Sequence, residues 1–272
     1  MLHYGHRVDS VSFNRAAEYY DATRALPDAA MADLLDVLVP ELAGRQPCLE
    51  IGVGTGRIAL PLHRQGIARA GTDIAEAMLR RLIGNAGGAA CFPLVLADAT
   101  RLPMANGSFG SMLAVHVLHL IPAWRDAVEE AVRVLAPGGA LIASFPGGRA
   151  APRRPGPSMS APWAAVLQQA AQRHGITRVD RGARNPADVA SYLDGRATPR
   201  QLPAVRVTEL RTLGQTLGHL EGQVYSWTWA YPREQVLGLG TEIRAWAAQE
   251  GLSLTEQHPV ESTLEWWAFE LP

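Results

Sequence analysis

A doubly wound, mostly parallel α/β sheet of seven strands is predicted by three features of this sequence. Short apolar runs alternate with amphipathic helical patterns through the first 145 residues, the mark of a parallel sheet with crossover helices. The first sharply apolar run passes directly into Gly52-Val53-Gly54-Thr55-Gly56. The next two runs each close on a carboxylate, Asp73 and Asp98.

The elements follow in order. A helix is expected from near Pro27, because Met31, Leu34, Leu35 and Leu38 fall on one helical face. Pro47 to Ile51 reads as the first strand, Arg57 to Gln65 as a helix, and a second strand ends at Thr72 and Asp73. A helix from about Ala75 to Ile83 leads to a third strand, Pro93 to Ala97, and Met112 to Val117 reads as the fourth. Trp124, Ala127, Val128, Ala131 and Leu135 mark a helix face that stops at Pro137-Gly138-Gly139, and Ala140 to Phe145 is strand five. The periodicity then breaks over 146–162, rich in Pro, Gly and Arg, which reads as a long loop. Helices are expected at Trp163 to His174 and Pro186 to Leu193, a strand at Arg206 to Leu210, and a helix face at Leu213, Leu217, Leu220 and Val224. Glu234 to Glu250 reads as the last helix and Ser262 to Leu271 as the last strand. The chain is read as one domain: an N-terminal helical cap (1–44), a core (45–145), a loop and helical insert that can serve as a substrate lid (146–204), and C-terminal strands and helices (205–272).

Composition narrows the function. With 25 basic and 26 acidic residues the formal charge is −1, and no basic stripe favours a nucleic-acid or membrane surface. Every basic residue is arginine, so lysine chemistry is excluded. The segment Met1 to Asp21 lacks the apolar core of a signal peptide, and two cysteines, Cys48 and Cys91, read as ordinary buried thiols and not as a disulfide framework or metal site. The expectation is a cytoplasmic protein, monomer or homodimer, holding no metal. Trp163, Tyr225, Trp227, Trp229, Trp266 and Trp267 read chiefly as packing residues, with an aromatic substrate floor as the alternative. Arg149, Arg153 and Arg154 read as solvated loop charges, with an anion clamp as the alternative.

A strand–GxGxG–helix unit lets backbone approach a ligand at the carboxyl edge of such a sheet. A dinucleotide site wants a third glycine where Arg57 stands, which disfavours a nicotinamide enzyme. Glu50 ends strand one, where an anion would repel a pyrophosphate but suits a cationic ligand. Asp73 is placed to accept two ribose hydroxyls, and Asp98 to accept from an adenine amino group. One glycine loop with three strand-end acids fits a nucleoside ligand without phosphates.

Here the sequence resembles a known family. LEIGVGTGR, GTDIAEAML, LADATRLPMANGSFG, AVHVLHLI and RVLAPGGALI look like the successive motifs of class I S-adenosylmethionine-dependent methyltransferases. The small-molecule group that includes ubiquinone- and menaquinone-biosynthesis enzymes is the most similar. FNRAAEYYDATR resembles the N-terminal helix that covers the cofactor in that group. The resemblance implies a Rossmann-like fold, S-adenosyl-L-methionine as cofactor and a small-molecule acceptor. Residue by residue, it implies that Gly52, Gly54 and Gly56 contact the methionine part and that Asp73 binds the ribose. It further implies that Ile74 packs on the adenine, Asp98 with Ala99 holds the adenine edge, Val115 and His116 line the cofactor, and Tyr20 closes over it.

Transfer from a sulfonium is an in-line displacement, so the protein mainly aligns the acceptor and excludes water. A base is needed only where the acceptor must lose a proton. His119, beyond strand four at the cleft rim, is either that base or a structural partner. Two other readings stay open: a protein that binds the cofactor or its demethylated product without turnover, and a Rossmann-type oxidoreductase.

Overall fold

The computed structural model describes residues 10–145, 161–177 and 181–272. The loop expected at 146–162 lies mostly outside the described residues, with Arg149, Arg153 and Arg154, as does the Trp163 side chain. The chain separates into two compact units, one of residues 1–148, 180–205 and 263–272, the other of 149–179 and 206–262.

The first unit holds a seven-stranded sheet. After a 3₁₀ turn (Asn14–Ala16) come α1 (Tyr20–Arg24) and α2 (Asp28–Ala43), whose Leu34, Leu38 and Leu42 are buried at helical spacing. Then follow β1 (Cys48–Ile51), α3 (Ala59–Arg64), β2 (Arg69–Asp73), α4 (Glu76–Asn85), β3 (Leu94–Leu96), β4 (Phe109–Val115), α5 (Trp124–Val134) and β5 (Leu135–Ser144). Two further strands complete the sheet in the order β3-β2-β1-β4-β5, then Trp266–Glu270, then Thr198–Gln201. The first five are parallel to one another; Trp266–Glu270 runs antiparallel to both its neighbours. On one face Leu49, Ile51, Met112 and Leu141 pack against Trp124, Val128 and Ala131 of α5. On the other, Val53, Leu60, Leu79, Leu82 and Phe92 form a smaller cluster.

The second unit holds α6 (Ala161–Arg173). After α7 (Pro186–Tyr192) and β6 (Thr198–Gln201), which belong to the first unit, come β7 (Val205–Thr212), α8 (Leu213–Glu221), α9 (Arg233–Gln249) and β8 (Gln257–Leu264); β9 (Trp266–Glu270) returns to the first. Ala170, Leu217, Leu220, Leu239 and Ile243 form the second unit's core. Thr212 caps α8 by accepting from the Gln215 backbone while the Gln215 side chain accepts from Thr212.

Five expectations are corrected. The helix read through Leu135 to a stop at Pro137-Gly138-Gly139 ends at Val134, and that segment lies inside β5, which begins at Leu135 and not at Ala140. The strand expected at 206–210 exists but pairs with β8 in a separate two-stranded sheet. The seventh strand is β6, read from sequence as insert, since Thr-Pro-Arg-Gln carries no apolar run and its proline is tolerated only because the strand lies at the sheet edge. The last strand divides into β8 and β9. Strand four ends at Val115, two residues early, because His116 takes φ +47°, outside the strand region.

Candidate active site

The strand order reverses between β1 and β4, so the crevice beyond their carboxyl ends is the topological switch point where open α/β sheets bind ligands. The register sets Ile51 beside Ala114, which brings the loop after β1 next to the chain after β4. An ideal Cβ on Gly52 would lie 2.6 Å from Val117 Cγ2, and one on Gly56 2.8 Å from Leu82 Cγ. Those two glycines are therefore required by protein packing. Gly54, at φ +57°, differs: its Cβ would meet nothing nearer than 3.9 Å, so this position is open for a ligand to approach the backbone.

Asp73 joins the loop to the next helix. Its Oδ2 accepts the Gly54 N–H at 2.9 Å and its Oδ1 the Ala75 N–H at 2.8 Å. Burial holds its carboxyl above the ordinary aspartate value despite those bonds. Ile74 beside it presents an exposed apolar side chain at the same edge. Asp98 Oδ1 accepts from both the backbone N–H and the hydroxyl of Thr100 at 2.9 Å, a turn geometry, and Ala99 packs against the α5-side core.

Glu50, expected to serve a cationic ligand, lies within β1. It is buried and ion-paired with Arg69, whose side chain is fully buried under the Phe92 ring, 5.4 Å from its centroid. Burial pushes the Glu50 carboxyl up to about 7, against the opposing pull of Arg69. Cys48 lies beside this pair, and burial raises its thiol to about 11, which leaves it inert; Cys91, expected to be buried as well, is exposed.

Val115 ends β4, half-buried. His116 follows in the left-handed region, its N–H donating to Ser144 Oγ at 3.0 Å. Burial, with Arg57, His119 and Arg24 adding positive charge, brings its imidazole down to about 3, so it is neutral near pH 7. His119 sits half-buried in the 3₁₀ turn Leu118–Leu120. That turn is backed by Gly182, where a Cβ would fall 2.0 Å from the Leu118 carbonyl oxygen.

The N-terminal segment reaches the glycine loop. Tyr20 stands edge-on to Phe13, with centroids 6.0 Å apart, and the adjacent Asp21 accepts the Thr55 hydroxyl at 2.5 Å. Arg57 donates to the Arg24 carbonyl at 2.9 Å. Asp21, Arg57 and Arg69 are the residues that sequence reasoning missed. Their partners are 34, 33 and 19 residues distant, and no local pattern signals such pairs.

Residues 49–143 match the model of the Methyltransferase domain family. The chain is 32% identical over 130 residues to a malonyl-[acyl-carrier protein] O-methyltransferase of Geobacter sulfurreducens, covering 47% of this chain and 49% of that protein. It is 30% identical over 141 residues to a demethylmenaquinone methyltransferase of Clavibacter sepedonicus, covering 49% of this chain and 56% of that one. The matched region thus spans about half the length of these curated relatives. Among solved structures, a SAM-dependent methyltransferase from Thermotoga maritima aligns with a TM-score of 0.51 at 16% identity, over 96% of this chain and 98% of that one. One from Archaeoglobus fulgidus aligns with a TM-score of 0.52 at 13% identity, over 94% and 98%. These two are likenesses of fold.

Proposed function

We propose, for a chain whose residues 49–143 match the Methyltransferase domain family, that it is a class I S-adenosylmethionine-dependent methyltransferase and transfers a methyl group from S-adenosyl-L-methionine to a small-molecule acceptor at the carboxyl edge of β1 and β4. The observation that carries this is Gly54: its absent side chain leaves the backbone open at the switch point, while Asp73 holds that backbone from behind. The residues around it fit a nucleoside with an amino-acid tail. When bound, the cofactor supplies a methyl group already activated by a sulfonium, so the chain needs no nucleophile of its own.

The chain's residues then bind, orient and exclude water. Gly54 admits the methionine part, with Gly52 and Gly56 shaping the loop. Asp73 accepts from the ribose hydroxyls through the lone pairs that its two backbone bonds leave. Ile74 covers one adenine face, and Asp98 with Ala99 meets its edge. Tyr20 closes the cap side. Glu50 acts from within the sheet, since its charge is already met by Arg69. Val115 and His116 border the reacting end, where an imidazole held neutral adds no positive charge beside a sulfonium. His119 takes the proton where the acceptor must lose one. Acceptor choice falls to residues outside 49–143.

The test is calorimetry with S-adenosylhomocysteine, followed by transfer of a labelled methyl group to a panel of hydroxyl, amine and acidic-carbon acceptors. The expected result is affinity of about micromolar order and turnover of at least one acceptor class. A folded protein with no affinity for S-adenosylhomocysteine would overturn the reading.

A further inference from the structure

Helix α1 has only five residues and buries none of them. So short a helix does not persist by propensity, and apolar burial of its own side chains does not hold it. Polar contacts from its own residues do. Asp21 Oδ1 accepts the Thr55 hydroxyl at 2.5 Å, and Asp21 Oδ2 accepts from Arg81 Nε and Asn85 Nδ2, each at 3.0 Å. Asn85 also donates to the Thr55 carbonyl at 3.1 Å, which closes a ring of Asp21, Thr55 and Asn85. At one flank Asn14 Oδ1 accepts the Ala77 N–H in the first turn of α4; at the other, Arg57 reaches the last carbonyl of α1. Burial acts to raise the Asp21 carboxyl, but the bonds from Thr55, Asn85 and Arg81 leave it below the ordinary aspartate value, so it is ionised and charge-assisted. Thr55 lies between Gly54 and Gly56, so one carboxylate ties the cap directly to the loop.

We propose that Asp21 is a positioning residue that latches α1 to the glycine loop through Thr55 and so holds the loop in its binding shape, and that loss of this hydrogen bond speeds cofactor release. The proposal rests on the reading above that the loop binds S-adenosylmethionine. Asp21 touches Thr55, not the reacting atoms, and its effect is on exchange.

The experiment measures the dissociation rate of S-adenosylhomocysteine by stopped-flow displacement, in parallel with hydrogen exchange of the free protein over residues 19–25. Asp21→Ala should raise the dissociation rate by about tenfold or more, the loss of a hydrogen bond to a charged group, and speed exchange of α1. Thr55→Val, which removes only the hydroxyl, should reproduce the rate effect, and the double variant should be no worse than either single one. Asp21→Asn should fall between wild type and Asp21→Ala. Dissociation rates within about twofold of wild type in both folded single variants overturn the latch, as does additivity in the double variant. If the wild type does not bind S-adenosylhomocysteine, the functional reading fails by itself. The latch is then judged on hydrogen exchange, and unchanged protection of α1 in Asp21→Ala overturns it.

Discussion

Asp73 and Gly54 are joined across the glycine loop: the carboxylate that ends β2 accepts the backbone N–H of the one loop glycine whose outer face is open. The same carboxylate holds the entry to α4 through Ala75, so loop shape and helix start depend on one side chain.

Asp73→Ala is therefore expected to weaken S-adenosylhomocysteine binding by about 1.5–3 kcal/mol and to lower thermal stability as well. Asp98→Ala should cost less affinity, because its bonds to Thr100 shape only its own turn. Calorimetry and thermal unfolding on both variants check this, and a larger affinity loss for Asp98→Ala would reverse the ribose and adenine assignments.

The glycines separate by the same logic. Gly52→Ala forces a Cβ to 2.6 Å from Val117, and Gly56→Ala to 2.8 Å from Leu82, so both should lose about 1–3 kcal/mol from overpacking on top of the ~1–2 kcal/mol of a left-handed non-glycine residue. Gly54→Ala should cost only the ~1–2 kcal/mol of a left-handed non-glycine residue, yet lose cofactor affinity disproportionately. Denaturant unfolding beside calorimetry distinguishes the two patterns; equal affinity in wild type and Gly54→Ala would remove the ligand from that face.

His116 ties stability to acid pH. Its folded value of about 3 lies below the ordinary 6.5, so the unfolded chain takes up the proton first. Its contribution is fully present above about pH 6.5 and is lost as pH falls toward 3. Glu50, raised to about 7 from 4.5, acts oppositely and lowers stability as pH rises through that interval. His116→Asn, which tolerates the left-handed backbone, should lessen the acid-side loss, leaving the part that comes from carboxylates held below their ordinary values such as Asp21. Denaturation midpoints across pH 4 to 8 test this; an unchanged profile would mean that His116 protonates in the folded protein as freely as in the unfolded one.

The Glu50–Arg69 pair should be costly to break from one side. Arg69→Met leaves a buried carboxylate and Glu50→Leu a buried guanidinium, each expected to cost about 3–5 kcal/mol. The double variant Glu50→Leu/Arg69→Met should recover much of that loss, because neither charge then remains buried alone. A double-mutant cycle by chemical denaturation measures the coupling, and simple additivity would show that the pair does not act as a unit.

His119→Ala is expected to lower single-turnover methyl transfer by about 10²-fold or more while cofactor affinity stays within about threefold. A near-normal rate across pH 6 to 9 would assign the histidine to packing of the 3₁₀ turn.

What this sequence determined by itself was whatever one element or one short motif encodes. The spacing of Leu34 and Leu38 determined α2, and the apolar run into Gly52-Val53-Gly54-Thr55-Gly56 determined β1 and its turn. Thr72 and Asp73 marked the close of β2, and the face of Trp124, Val128 and Ala131 determined α5. Tertiary structure decided what depends on a distant partner. Residues 205–212 alternate as a strand must, but only pairing assigns them to β8 and gives the place beside β9 to the polar segment 198–201. Gly52 and Gly54 are the same letter in one motif, yet Val117 stands against the first and open space against the second. Glu50 and Asp21 are both acids near the loop; Arg69 claims one and Thr55 the other. The reason is physical: periodicity and turn chemistry act over a few residues, whereas desolvation, ion pairing and steric contact depend on neighbours that only folding brings together.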